Sequence, residues 1–304
     1  MRGFGLIVGL GLLLSAPQAS ASAVVVCPIG AAATIVGTPR DDRLVGTPGR
    51  DLIKGLAGDD IIRGLDGRDV ICAGKGDDVI HGGPGARDHL EGGPGSDLIR
   101  GGRGQDFIVD GPGSDVVLAG AGPDQVLGGG PGADTYRLGP GNDSAEDTRG
   151  HDVYHGGPGL DLFTLGLVPS GGNDSFSGGV GFDAVQYVGG GSVMIDLGAG
   201  VVSGAPGKKT LHSIEWAAGS IGDDTLIGTN EDNLLRGFSG DDRVEARGGD
   251  DILVGDSGTD ALDGGSGTDR CLLGETISSC EAEERRVTRN EWAGQTALIR
   301  LLGS

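Results

Sequence analysis

Aspartate recurs at a fixed nine-residue spacing through much of this chain, and carboxylates at a fixed spacing can hold a cation. Set out in nines from Gly37, the sequence gives ten consecutive rows to Leu127, beginning GTPRDDRLV, GTPGRDLIK, GLAGDDIIR and GLDGRDVIC. Six more run from Gly219 to Leu272, from GSIGDDTLI to GGSGTDRCL. The sixth column is Asp in fourteen of these sixteen rows; the exceptions are Asn233 and a row with an inserted residue, where Asp88 falls one place late. The candidate ligands are Asp42, Asp51, Asp60, Asp69, Asp78, Asp97, Asp106, Asp115 and Asp124, then Asp224, Asp242, Asp251, Asp260 and Asp269. Two good rows between the blocks, GGPGLDLFT and GGVGFDAVQ, add Asp161 and Asp183. Column-five acids such as Asp59, Asp77, Asp223, Asp241 and Asp250 are expected only to raise the local field. Asp42 and Asp269 end the arrays and are expected to be half-sites.

If successive rows stack as strands, equivalent residues lie about 4.8 Å apart. Two bare carboxylates at about 4 Å repel by roughly 4 kcal/mol at an effective dielectric of 20. A divalent cation between the turns reverses that sign. Ca²⁺ takes 6–8 hard oxygens at about 2.3–2.6 Å in flexible geometry, which Asp carboxylates and turn carbonyls can supply, whereas Mg²⁺ demands a stricter octahedron. The short side chain of Asp also keeps the carboxylate close to its own turn. Asp residues that merely cap turns would explain an occasional Asp beside Gly, but not one constant column beside a fifth that varies among Asp, Arg, Ser, Gln, Pro and Thr.

The elements that must position these carboxylates follow from the other columns. Gly at columns one, two and four permits positive φ and close backbone approach. Column eight is apolar throughout while columns seven and nine are mixed, the pattern of a strand with one buried face. One aliphatic side chain per nine residues contributes about 1.5–3 kcal/mol. That does not offset about 1–2 kcal/mol of backbone entropy at each of nine residues, so the repeat needs stabilisation beyond its apolar core.

The rows resemble the G-G-x-G-x-D-x-U-x nonapeptide of the RTX (hemolysin-type) calcium-binding repeats. The resemblance covers the two blocks well and the segment between them loosely. It implies an all-β fold: a parallel β-roll, or β-solenoid, with two nonapeptides per coil, six residues of each forming a turn and three a strand. It also implies Ca²⁺ as the bound ion. The HExxHxxGxxH motif of the RTX proteases and the long apolar segments of the RTX toxins are missing.

Composition agrees. Of 304 residues 65 are Gly, and 44 acids against 23 bases give a net charge of −21. Such acidity argues against a nucleic-acid partner, whose phosphates it would repel. Residues 1–23 read as an export signal, with Arg2, an apolar run from Phe4 to Leu14 and an Ala21-Ser22-Ala23 cleavage site. Removing them leaves a secreted, extracellular chain without a transmembrane segment. Four cysteines allow three pairings; their positions favour Cys27–Cys72 and Cys271–Cys280, clipping the ends of the repeats. The expected layout is a capping strand at 24–36, a first array at 37–138, degenerate repeats with longer strands at 139–218, a second array at 219–272 and a C-terminal cap at 273–304, helical in part. His151 and His155 share an i, i+4 spacing, but the Gly-rich flanks speak against a helical zinc pair.

The expected function is calcium binding that folds a secreted, non-enzymatic roll with a structural or adhesive role. Partners beyond calcium would be a cell-surface or matrix polysaccharide or a protein. The alternatives are a polysaccharide lyase or epimerase on a parallel β-helix, with an Arg, Tyr and His groove in 134–216, and an acidic calcium buffer that never folds.

Overall fold

The three residues that close each row are rich in Val, Ile and Leu, which suit a pleated, half-buried surface, and the structure pairs them in long parallel ladders. In the computed structural model, residues 34–280 are described, apart from 86, 129, 148 and 167–171, together with the backbone of 282–284. The expected export signal, Cys27 and most of both terminal caps lie outside the described residues.

The strands form two sheets of 14 and 15 strands, with successive strands in the chain alternating between them except over residues 194–212, where three consecutive strands lie in the 15-strand sheet. Arg43–Val45, Ile61–Arg63 and Val79–Gly83 follow one another in the 15-strand sheet, while Leu52–Ala57 and Val70–Lys75 lie in the 14-strand sheet. Register confirms two nonapeptides per coil, since Leu44 pairs with Ile62, Ile62 with Ile80, and Ile53 with Ile71. The chain is therefore a parallel β-solenoid of the roll type, and no helix occurs among the described residues.

Column eight points inward from both sheets. Ile53, Ile62, Ile71, Ile80, Leu90, Ile99 and Ile108 are fully buried and belong to one continuous core. The degenerate segment keeps the solenoid and changes the filling: Tyr136 stacks on Tyr154 at 4.5 Å, and Tyr154 on Phe176 at 4.7 Å. The longer-strand region is an antiparallel excursion. Met194–Asp196, Val201–Ser203 and Lys209–His212 pair antiparallel with one another, and the parallel ladder resumes on either side at Asp174–Gly181 and Thr225–Ile227.

Turn glycines have a steric cause. A Cβ on Gly64 would lie 2.5 Å from Asp69 Oδ2 and 2.6 Å from the Gly82 carbonyl oxygen. Column two sometimes carries a larger residue in the same left-handed conformation, as at Leu56 (φ 88°) and Leu65 (φ 77°). Cys271 and Cys280 form a disulfide with Cα atoms 6.0 Å apart, so that expected pairing is present. Cys72 is disulfide-bonded too, and its expected partner Cys27 is outside the described residues.

Candidate metal centre

Two nonapeptides per coil split the aspartate column into two files, one on each turn edge of the roll. One file runs through Asp42, Asp60, Asp78, Asp97, Asp115, Asp134, Asp152 and Asp174. The other runs through Asp51, Asp69, Asp88, Asp106, Asp124, Asp143, Asp161 and Asp183. Within a file each backbone N–H donates to Oδ1 of the Asp one coil further on, as Asp51 does to Asp69 at 2.9 Å. In the second array Asp224, Asp242 and Asp260 continue the first file, while Asp251 and Asp269 continue the second.

The structure thus brings every sequence-predicted aspartate into one of the files, and it adds five that the strict nine-residue register passes over: Asp88, Asp134, Asp143, Asp152 and Asp174. Insertions displace these in sequence. The turns absorb the extra residues, so Asp69 and Asp88 are neighbours 19 residues apart and Asp152 and Asp174 neighbours 22 apart. The signal available in the sequence was an Asp just before a strand triplet, wherever it fell in the nine-residue frame.

The second oxygen separates two kinds of turn. In Asp60, Asp69, Asp78, Asp97, Asp106, Asp115, Asp124, Asp161, Asp183, Asp242, Asp251 and Asp260, Oδ2 is buried without a hydrogen-bond partner. Asp88, Asp143 and Asp152 are alike. A buried, unmatched carboxylate oxygen costs at least 1–3 kcal/mol, and repeating it along two files is what a cation site requires. The Gly64 geometry shows the company it keeps: Asp69 Oδ2 and the Gly82 carbonyl oxygen face one small space that only a missing side chain leaves open. Hard oxygens, buried charge and a backbone cradle fit Ca²⁺. Burial also pushes these carboxyls up, to about 6 for Asp69 and Asp106 and about 7 for Asp97, Asp242 and Asp251. Asp143 is pushed up to about 8 by the same burial.

The leading turns of each array differ. Asp51 Oδ2 accepts from the Thr47 backbone N–H at 2.6 Å and from its hydroxyl at 2.9 Å, which draws the Asp51 carboxyl below its ordinary value. Asp42 accepts in the same way from Thr38, Asp224 from the Ser220 N–H, and Asn233 from Thr229. These four turns share Thr or Ser at column two, and the protein itself fills the oxygen that is open elsewhere. That is why an Asn is accommodated at 233.

Two further aspartates enter at column one. Asp110 lies within reach of Asp115 and Asp134, and Asp147 within reach of Asp152 and Asp174. Asp110 Oδ2 accepts from the Tyr136 hydroxyl at 2.6 Å, and burial raises its carboxyl to about 8. At the second cluster the Lys209 ammonium, fully buried, donates to Asp147 at 2.6 Å and also to Asp174. Lys209 pairs in register with Asp174, so a lysine stands where the file would place its next aspartate. The other file passes through Glu215, whose carboxylate accepts from the Asp183 N–H at 2.9 Å. His151 serves its turn, its Nδ1 accepting from the Asn173 N–H at 3.0 Å, while His155 sits in the sheet.

Comparison with curated proteins finds no match. The family model for the RTX calcium-binding nonapeptide repeat matches residues 36–71, 66–86, 87–126, 128–163, 218–253 and 236–271. These segments take in more than half of the chain and coincide with the coils that carry the two files, so the chain belongs to the RTX calcium-binding nonapeptide repeat family.

Proposed function

We propose that this is a secreted, non-catalytic calcium-binding roll whose coils close when Ca²⁺ is held between successive aspartates. The observation that carries the reading is the repeated, buried and unpartnered Oδ2 along both files. When bound, Ca²⁺ supplies the positive charge that the files lack. The chain's own residues do the rest. Column-six carboxylates present Oδ2 toward column one, which is Gly or Ala in most turns, and their Oδ1 atoms tie each turn to the next. Turns with open oxygens, such as those of Asp60 to Asp124, Asp161, Asp183, Asp242, Asp251 and Asp260, are the proposed ligand turns, with Asp88, Asp143 and Asp152 added. The Thr- and Ser-capped turns of Asp42, Asp51 and Asp224 hold the ends of the arrays without needing a metal. Asp269 is retained as the terminal ligand of its file. Stacked coils that contact only their neighbours fold cooperatively along the array. Millimolar extracellular calcium lies in the range that external modules use, about 10⁻⁴–10⁻³ M.

The test is far-UV circular dichroism of residues 24–304 titrated with CaCl₂ and, separately, MgCl₂. A sharp β-signal gained with calcium and not with magnesium supports the reading. A chain equally β-rich in EDTA, or one without a transition at 10 mM calcium, overturns it.

A further inference from the structure

Over the first coils the two turn edges of the roll carry different charges, whereas in the second array both edges carry stacked aspartates, Asp223 with Asp241 and Asp232 with Asp250. On the edge of the Asp42–Asp60–Asp78 file, column five reads Asp41, Asp59 and Asp77. On the other edge it reads Arg50, Arg68, Arg87 and Gln105, stacked coil upon coil. These four line one cavity of about 270 Å³ with His89 and Phe107, whose rings stack at 5.0 Å. The three arginines are exposed and form no ion pair among the described residues. Arginines also stand on the strands that lead into two of these turns. Arg63, His81 and Arg100 are in register on the outer face of the 15-strand sheet, where Ile61, Val79 and Leu98 form a parallel apolar file. The one exposed acid on the four turns is Asp66. In a chain of net charge −21, arginines concentrated on one edge and left unpaired point to an external anion.

We propose that this edge binds a linear acidic polysaccharide lying along the roll axis, its carboxylates or sulfates meeting the row of Arg50, Arg68 and Arg87 at every rung or every second rung. Coils repeat about every 4.8 Å, close to the length of one pyranose unit, so each sugar meets an equivalent rung. Arginine's planar fork suits carboxylate and sulfate. The Phe107 ring and the aliphatic file offer surfaces for sugar C–H faces. A single-stranded nucleic acid would want aromatic platforms repeated along its path, and the cavity holds one stacked pair. A duplex or a membrane would meet the acidic remainder of the surface. The inference rests on the calcium reading, because Asp69, Asp88 and Asp106 form the cavity's inner wall and must be neutralised before a polyanion can approach.

The test uses residues 24–304 at saturating calcium, with folding checked by circular dichroism on every sample. The probe is hyaluronan, a uronate polymer that calcium does not gel, measured by calorimetry beside neutral dextran and oligo(dT). Expected are binding to hyaluronan that weakens with NaCl, no binding to dextran, and at least a tenfold loss in the Arg50→Ala/Arg68→Ala/Arg87→Ala variant. The Asp59→Asn/Asp77→Asn variant on the opposite edge should bind as the parent does. No binding by the folded parent, or an unchanged triple variant, overturns the proposal, and oligo(dT) binding as tight as hyaluronan overturns the choice of glycan. A parent that fails to fold with calcium overturns the calcium reading first, and this proposal with it.

Discussion

The buried ammonium of Lys209 donates to Asp147 at 2.6 Å across 62 residues of sequence, and it also reaches Asp174, its own register partner in the 15-strand sheet. A tethered cation therefore sits at the end of a file of carboxylates, at the point where the parallel ladder gives way to the antiparallel excursion.

Removing that charge should be costly. Breaking a buried pair leaves uncompensated charge and typically costs about 3–5 kcal/mol. Lys209→Met is expected to lose stability of that order in urea at saturating calcium, with the loss centred on the junction between the arrays. A loss under about 1 kcal/mol would show that the ammonium has no such role.

Capped and open turns should respond differently to the same substitution. Asp69→Asn and Asp106→Asn each remove charge at an open Oδ2, so both should shift the calcium midpoint upward and lower the stoichiometry in calorimetry. Asp51→Asn, in a turn already filled by Thr47, should leave both almost unchanged, as the natural Asn233 suggests. Equal effects at positions 51 and 69 would refute the distinction.

Two residues of one turn offer opposite outcomes. Gly67→Ala puts a side chain where φ is 134° and where its Cβ would lie 2.6 Å from the Gly49 carbonyl oxygen, so it should weaken calcium-dependent folding sharply. Leu65 holds φ at 77° and is partly exposed. A non-glycine residue there stores about 1–3 kcal/mol of strain, so Leu65→Gly should raise stability by about 1 kcal/mol. Thermal melts at fixed calcium decide both.

Acid should partly replace calcium. In EDTA, burial raises the carboxyls of Asp97, Asp242 and Asp251 to about 7 and those of Asp69 and Asp106 to about 6, whereas in an unfolded chain they lie near 4. The folded state then binds more protons than the unfolded state between about pH 4 and 7, so its stability rises as pH falls through that window. The penalty is complete above about pH 7 and gone below the unfolded value. The far-UV β-signal in EDTA is expected to be larger at pH 5 than at pH 8, and the reverse order would contradict the buried files.

Much of this molecule could be read from single positions. Column eight fixed the inward ladder from Ile53 to Leu262, because a three-residue strand has only one side chain to bury. Column six fixed the type of chemistry, because only carboxylates recur there. The glycines of column four marked turns too tight for a side chain, as Gly67 shows.

What the sequence could not decide was which copies meet. A nine-residue period gives one aspartate column, whereas an 18-residue coil divides it into two edges. That division separates Arg50, Arg68 and Arg87 from Asp41, Asp59 and Asp77, which look like noise in a single fifth column. Insertions moved Asp88 and Asp174 out of the nine-residue frame, because turns take up extra residues while strand register is kept by hydrogen bonds between coils. Lys209 gave no sign of its place, since its partners lie 35 and 62 residues away. Local spacing determines which groups can form a repeat. The stacking of coils determines which charges become neighbours, and the electrostatics of the roll depend on those neighbours.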